Sequence, residues 1–307
     1  MPLLVDRYLQ PELSDPVLEE SRVMEIVREF VPHASRVSSV DETGGEARVY
    51  FIDDDIVFKT QRPHRLRLST SLQREVFYLN YLTETLPHVS VPRVLGYIKE
   101  SPMLEGTVMT RLPGTAVRYA ELSAKQRSAM LLEHGKAIAM LHSLPQEPFL
   151  QSGLFPNDED AAGLKERYRT RFEAMLGRLG DTSDYEKDAA RELMMEILAD
   201  LTEVDRMVAL HSNPYIEHTF VKADKSYSGI IDFGDSYISH PVNDMRRWNS
   251  ADRRELLQGY LHGSLMNETF ATIWDIAWSL DALTSMLSRQ IQVSLIKDIS
   301  ELRVFEW

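Results

Sequence analysis

From Val17 to Phe30 the apolar residues Val23, Ile26, Val27 and Phe30 fall on one stripe at helical spacing. Asp15-Pro16 just upstream reads as an N-cap followed by a first-turn proline, so a helix is predicted to open there. The period then shortens. Val37–Val40, Arg48–Ile52 and Ile56–Thr60 are short β-branched and aromatic runs, separated by Gly44-Gly45 and by Asp53-Asp54-Asp55. That pattern predicts a three-strand antiparallel meander. Helical spacing returns between Ser69 and Leu86 through Leu72, Val76, Leu79 and Leu82, and two further strands are predicted at Val94–Ile98 and Thr107–Thr110.

After Arg111-Leu112-Pro113-Gly114 helices take over. Ser123 and Gln126 have capping-box spacing, followed by a stripe of Leu131, His134, Ile138 and Leu141. Further helices are predicted near 163–179, 185–205, 252–263 and 268–303, the last with a break. One strand-rich island, Met207 to Asp232, interrupts them. Strands first and helices later is an α+β order, not a βαβ alternation. The reading places a β-rich part in residues 1–110 and an α-rich part in 111–307, with a hinge at 111–114.

Composition narrows the picture. The 307 residues carry 34 Lys and Arg against 47 Asp and Glu, a net charge of −13. That balance argues against a nucleic-acid partner and suits a cationic ligand. There is no cysteine, which removes thiol catalysis, disulfides and thiolate metal sites. Residues 1–7 show no basic leader pattern, and no apolar run reaches the roughly 20 residues of a membrane span. A cytoplasmic protein without a membrane partner is the expectation; the oligomeric state is not legible.

Lys59 closes the apolar run Ile56-Val57-Phe58 and shares a strand face with Val57. Taken alone it reads as an edge lysine with its stem buried. Glu75 lies on the apolar stripe of its helix, where an unpartnered carboxylate is costly; an ordinary pairing with a nearby arginine would satisfy it. A strand lysine followed 16 residues later by a helix glutamate is also the arrangement that anchors nucleotide phosphates in protein-kinase-like folds. In the island, His211-Ser212-Asn213 is followed by His218. Then Gly229-Ile230-Ile231-Asp232-Phe233-Gly234-Asp235 places a carboxylate at the end of an apolar strand, where a hard cation could take it as ligand.

In this order the strand lysine, the helix glutamate, Arg-Leu-Pro-Gly at 111–114, the loop at 211–218 and Ile-Asp-Phe-Gly-Asp at 231–235 resemble the aminoglycoside and macrolide phosphotransferase family. The likeness spans about residues 36–250, and Ser239-His240-Pro241-Val242-Asn243-Asp244 resembles the segment that follows the family's metal-binding aspartate. The resemblance implies a two-lobed protein-kinase-like fold, with a small antiparallel-sheet lobe for the nucleotide and a larger helical lobe for the catalytic loop and acceptor. It implies ATP or GTP as co-substrate, Mg²⁺, and a small-molecule hydroxyl as acceptor. An aminoglycoside is suggested by the acidic chain and a macrolide by His218. Carried over by position, Lys59 would hold the α/β-phosphates and Glu75 would orient it. Thr43 and Gly44, in the loop from Asp41 to Glu46, would cover the phosphates with backbone N–H groups. Met109, Thr110 and Leu112 would read the base, and Asp232 and His218 would hold the metal. A structural histidine is the alternative for His218.

His211 and Asn213 fall at the catalytic positions, where the family resembles His-Gly-Asp. An amide at 213 is no base near neutral pH, though it can orient a hydroxyl. Three explanations stand: a deliberately inactivated variant, a natural member with weakened or lost transfer (a nucleotide- or ligand-binding pseudokinase), or substitution by Asp235 or Glu217. Asp235 otherwise reads as a turn or cap residue. Elsewhere, His134 and Trp248, Trp274 and Trp278 read as core. Asp158-Glu159-Asp160 reads as a solvated helix start that could also meet a cationic substrate. Phe305-Glu306-Trp307 fits either helix packing or a cleft edge.

Overall fold

A computed structural model describes residues 8–180, 182–264 and 266–303. The segments 1–7 and 305–307 singled out above lie outside the described residues. Backbone contacts divide the chain into two compact units, one of residues 8–130 with 211–236 and one of 131–210 with 237–303. The sequence boundary at 110/111 differs in where it puts 111–130 and 211–236.

The first unit opens with α1 (Glu20–Phe30), followed by β1 (Val37–Asp41), β2 (Ala47–Ile52) and β3 (Ile56–Gln61). Then come α2 (Leu72–Thr85), β4 (Val94–Ser101) and β5 (Leu104–Thr110). The five strands form one antiparallel sheet in the order β1-β2-β3-β5-β4. Burial alternates along β2 and β3, as a half-buried sheet requires. One face packs Tyr50, Ile52, Ile56, Phe58 and Val108 against Val23, Met24, Ile26 and Val27 of α1. Helix α1 starts later than the sequence suggested, with Glu19 at its N-cap. The reason is tertiary: Asp15 does not cap but accepts hydrogen bonds from Arg48 and Arg62. After β5 the chain turns at Gly114, whose φ of 101° and whose contact with the Val221 carbonyl exclude a side chain. A second sheet follows, β6 (Thr115–Ala116), β8 (Thr219–Val221) and β9 (Tyr227–Ile230), in the order β6-β8-β9.

Helix α3 (Ala124–His142) begins with the predicted capping box: Gln126 N–H donates to Ser123 Oγ, and Gln126 Oε1 accepts from Ser123 N–H. Its stripe of Leu131, His134, Ile138 and Leu141 is buried. The helical unit adds α4 (Glu147–Ser152), α5 (Ala161–Arg178), α6 (Asp184–Ala199), α7 (Ser250–Leu261), α8 (Glu268–Ser288) and α9 (Ser300–Arg303). Sequence periodicity missed the short α4 and ran α6 six residues too far. Asp205, at a bend after α6, meets His240 instead. The strand β7 (Val208–Leu210) pairs not with its neighbours in the island but with β10 (Tyr237–Ser239), which the hydrophobic pattern did not reveal. Gly135 of α3 and Gly259 of α7 let the two helices approach backbone to backbone. Among the described residues, no helix is long and apolar enough to cross a membrane.

Candidate active site

Alternation along β3 buries Ile56 and Phe58 on one face and leaves Val57 and Lys59 on the other. The Lys59 ammonium lies 2.8 Å from Glu75 Oε2 and 2.6 Å from Asp232 Oδ1. Ser71 caps α2 and accepts from Arg74 N–H, which sets Glu75 in the first turn. The Glu75 side chain is 2% exposed and also accepts the Phe233 N–H through Oε1 at 3.3 Å. One buried carboxylate therefore fixes both the strand lysine and the Asp-Phe-Gly turn. Burial alone would lower the Lys59 pKa, but the charges of Asp232 and Glu75 outweigh it and hold the ammonium above the ordinary lysine range. Burial acts to raise Asp232, yet Lys59 and then His218 pull it well below the usual carboxylate range. Glu75 is raised by burial despite Lys59.

Phe233 is fully buried and anchors the turn between His211, at 4.4 Å between ring centres, and Tyr78, at 4.9 Å. Asp232 itself has φ 72°, a left-handed conformation that costs energy in a residue with a Cβ. Ser212 in the 211–218 loop has φ 82°. His211 is buried and spends both ring nitrogens on backbone: Nε2–H donates to the Ile231 carbonyl at 2.9 Å, and Nδ1 accepts the Asn213 N–H at 3.2 Å. It therefore positions the loop and the Asp232 strand against each other. His218 Nδ1 faces the Asn213 carbonyl at 2.9 Å and so must donate there. Its Nε2 meets Asp232 Oδ2 at 3.2 Å. A nitrogen lone pair and a carboxylate repel at that distance unless a proton or metal ion lies between them. The hydrogen bond to Asn213 orients the ring as outer partners of ligating histidines do.

Asp232 and His218 thus fit a cation that takes its remaining ligands from phosphate and water. Among the described residues no three His, Asp or Glu side chains form a metal cage of their own.

The remaining predicted residues are less tightly gathered. Met109 is buried on β5 opposite Val57, and Thr110 Oγ1 accepts the Arg93 N–H at 2.8 Å. Leu112 is buried just beyond β5. Thr43 and Gly44 lie exposed in the β1–β2 loop, where Asp41 Oδ1 accepts both the N–H and the hydroxyl of Thr43. Among the described residues no hydrogen bond or ion pair joins either of them to Lys59 or Asp232. Neither Gly44 nor Gly45 has a positive φ, and a Cβ would fit at both. The backbone conformation therefore does not require glycine there.

Sequence reasoning missed the arginines that hold this loop. Arg48 Nε donates to Glu42 Oε1 at 2.6 Å, and Arg62 Nη1 reaches the Glu42 carbonyl at 3.4 Å. Arg67 pairs with Glu46 and, at 3.1 Å, with Asp235. Asp235 also accepts from Thr70 Oγ1 at 2.6 Å. Except for Arg48 with Glu42, six residues apart, these pairs join distant stretches and leave no local pattern. They also bear on the two carboxylates expected as substitutes for an aspartate at 213: Asp235 is engaged by Arg67 and Thr70, and Glu217 by Arg118 at 2.8 Å. Asp158 and Asp160 are structural as well. Asp158 binds Arg167 and Ser239, and Asp160 caps α5.

The sequence profile of the Phosphotransferase enzyme family matches residues 39–276, well over half of the chain. The chain belongs to this family. Its enzymes are phosphotransferases, and the matched span contains every residue of the cluster just described. Solved structures agree on the fold. The ADP-bound aminoglycoside phosphotransferase APH(2'')-Ib aligns at 17% identity over 93% of this chain and 97% of its own, with a TM-score of 0.60. A type I macrolide 2'-phosphotransferase aligns at 17% identity over 94% and 97%, with a TM-score of 0.60. The macrolide 2'-phosphotransferase MphH from Brachybacterium faecium aligns at 20% identity over 91% and 96%, with a TM-score of 0.57. The fold is protein-kinase-like, with an antiparallel-sheet N-terminal part and a helical C-terminal part.

Proposed function

We propose that this phosphotransferase moves the γ-phosphate of ATP or GTP to a hydroxyl of a small molecule. An aminoglycoside is the first candidate acceptor and a macrolide the second. The observation that carries the reading is Lys59 held between Glu75 and Asp232. An ammonium kept charged and in place by two carboxylates, one of them beside a histidine, is a ready partner for a metal-bound triphosphate.

In this reading Lys59 contacts the α/β-phosphates, Glu75 keeps it extended, and the loop 41–46 covers the phosphates. Residues 109–112 meet the base, and the acceptor is taken by the helical stretch after residue 155. Asp232 and His218 hold Mg²⁺, which offsets the phosphate charge when bound. The Asn213 carboxamide accepts a hydrogen bond from the acceptor hydroxyl and aims its oxygen at phosphorus. Without a base the alcohol keeps its proton until the bond to phosphorus has largely formed and the bond to the departing nucleoside diphosphate has broken, and the proton then passes to an oxygen of the transferred phosphoryl group or to water. Transfer through a loose transition state rests on positioning and electrostatics, so an amide slows the reaction without abolishing it. Among the similar structures are complexes of the aminoglycoside phosphotransferase APH(2'')-IIa with gentamicin and with streptomycin and ATP, which supports the choice of acceptor class.

Asn213 also favours a second reading, a pseudokinase that binds nucleotide without transfer. Thermal-shift titration with Mg·ATP and Mg·GTP, joined to phosphotransfer assays over an acceptor panel, separates the two. Transfer by the chain itself supports the enzyme. Transfer only by Asn213→Asp supports the pseudokinase, and absence of nucleotide binding in both proteins sinks both.

A further inference from the structure

The helical stretch that the phosphotransfer reading gives to the acceptor holds arginines to which that reading assigns no role. Helix α5 contributes Arg167, Tyr168 and Arg171; β10 contributes Tyr237; Arg246, Arg253 of α7 and Asp281 of α8 complete the group. Arg167 lies over the Tyr237 ring at 4.1 Å, and Arg171 donates to the Tyr237 hydroxyl at 2.9 Å. Arg246 stands over the Tyr168 ring at 5.3 Å. Asp158 pairs with Arg167, and Asp281 is shared by Arg246 and Arg253. Arg171 has no carboxylate partner among the described residues. Among the described residues Arg171 thus stands in this group without an anion of its own, in a chain whose net charge is −13.

Hydrogen-bond donors are left over at the same place. Asp281 takes Nε and Nη2 of Arg246 but not Nη1, which is buried without an acceptor among the described residues. The Tyr168 hydroxyl is also buried without a partner, on a residue 1% exposed. Burial pushes the Tyr168 phenol's pKa up, so the group stays an O–H donor. Buried donors without acceptors are costly, and a native site normally supplies the missing oxygen.

We propose that Arg171, Tyr168 and Arg246 form an oxyanion subsite for a carboxylate or phosphate group carried by a small molecule. An oxyanion supplies the acceptors that Tyr168 and Arg246 lack and the negative charge that Arg171 lacks. An aminoglycoside's ammonium groups supply neither. The subsite does not depend on nucleotide binding, because none of its residues belongs to the Lys59–Asp232 cluster.

The competing explanation is a buried water that satisfies the two donors. The chain itself, Arg171→Gln and Tyr168→Phe would each be titrated calorimetrically with inorganic phosphate and with acetate, at constant ionic strength. The proposal expects saturable binding that weakens about tenfold or more in each variant. Tighter binding of phosphate than acetate marks a phosphoryl ligand; acetate equal or tighter marks a carboxylate. Binding indifferent to both substitutions would place the anion elsewhere, for instance at Lys59, and overturn the proposal. So would no saturable binding, or a Tyr168→Phe protein that is more thermostable with unchanged anion affinity.

Discussion

An amide at position 213 cannot take a proton from an alcohol near neutral pH, whereas a carboxylate in the same place can. Asn213→Asp should therefore raise kcat by roughly 10²–10⁴ while leaving nucleotide affinity nearly unchanged. Steady-state kinetics with a fixed acceptor, beside a binding titration, checks both halves. One residue earlier, Ser212 is held at φ 82°. Glycine occupies that region at no steric cost, although it gives back some stability through the entropy of the unfolded chain. The net expectation for Ser212→Gly is about 0.5–1 kcal/mol of added stability, read from urea unfolding. A neutral or destabilising result would mean that the serine side chain contributes more than the strain removes.

Among the elements, the β1–β2 loop depends on a segment outside the sheet. Asp15 accepts from Arg62 Nη2 at 2.6 Å and from Arg48 Nη2 at 2.9 Å, and both arginines also hold Glu42 of the loop. Arg48 is 2% exposed, so removal of Asp15 leaves a buried charge with only the more exposed Glu42 among its described carboxylate partners. Asp15→Ala should cost about 2 kcal/mol of stability and weaken nucleotide binding several-fold, with kcat at saturation little changed. Equilibrium denaturation and a KM-against-kcat comparison measure the two effects. Asp15 also shows where sequence reading ends. Local rules made it a helix cap, and only the fold brings Arg48 and Arg62 to it. The three-strand meander, α2 and the capping box of α3 were legible because their signals lie within a few residues of one another. The pairing of β7 with β10, and of Arg67 with Asp235, was not, because it joins stretches whose own patterns carry no trace of the partner. Lys59, Glu75 and Asp232 were readable as candidates through motif order, but their mutual contact required coordinates.

For the molecule as a whole, acid stability carries a signature from the helical unit. The hydrogen bond from His240, at 2.8 Å, is the largest influence on Asp205 and lowers its pKa from 3.8 to about 2. A carboxylate depressed on folding stabilises above its unfolded pKa, and that contribution is lost as pH falls through the folded value. Stability attributable to the Asp205 carboxylate should be intact at pH 5 and decline between about pH 4 and pH 2, apart from the earlier loss as His240, whose pKa burial lowers, takes up a proton. Asp205→Asn should flatten that part of the curve of urea midpoint against pH. An unchanged acid limb would show that other groups govern it. At this scale the family and the kinase-like fold are settled, and the nucleotide is the component whose binding decides the account. The most direct test is calorimetric titration of the intact chain and of Lys59→Met with Mg·AMP-PNP and Mg·GMP-PNP, with circular dichroism to confirm that both proteins are folded. The account predicts saturable binding of at least one nucleotide by the chain and a loss of about tenfold or more in the folded Lys59→Met protein. Equal affinity in the two proteins, or no binding by the chain, would contradict it.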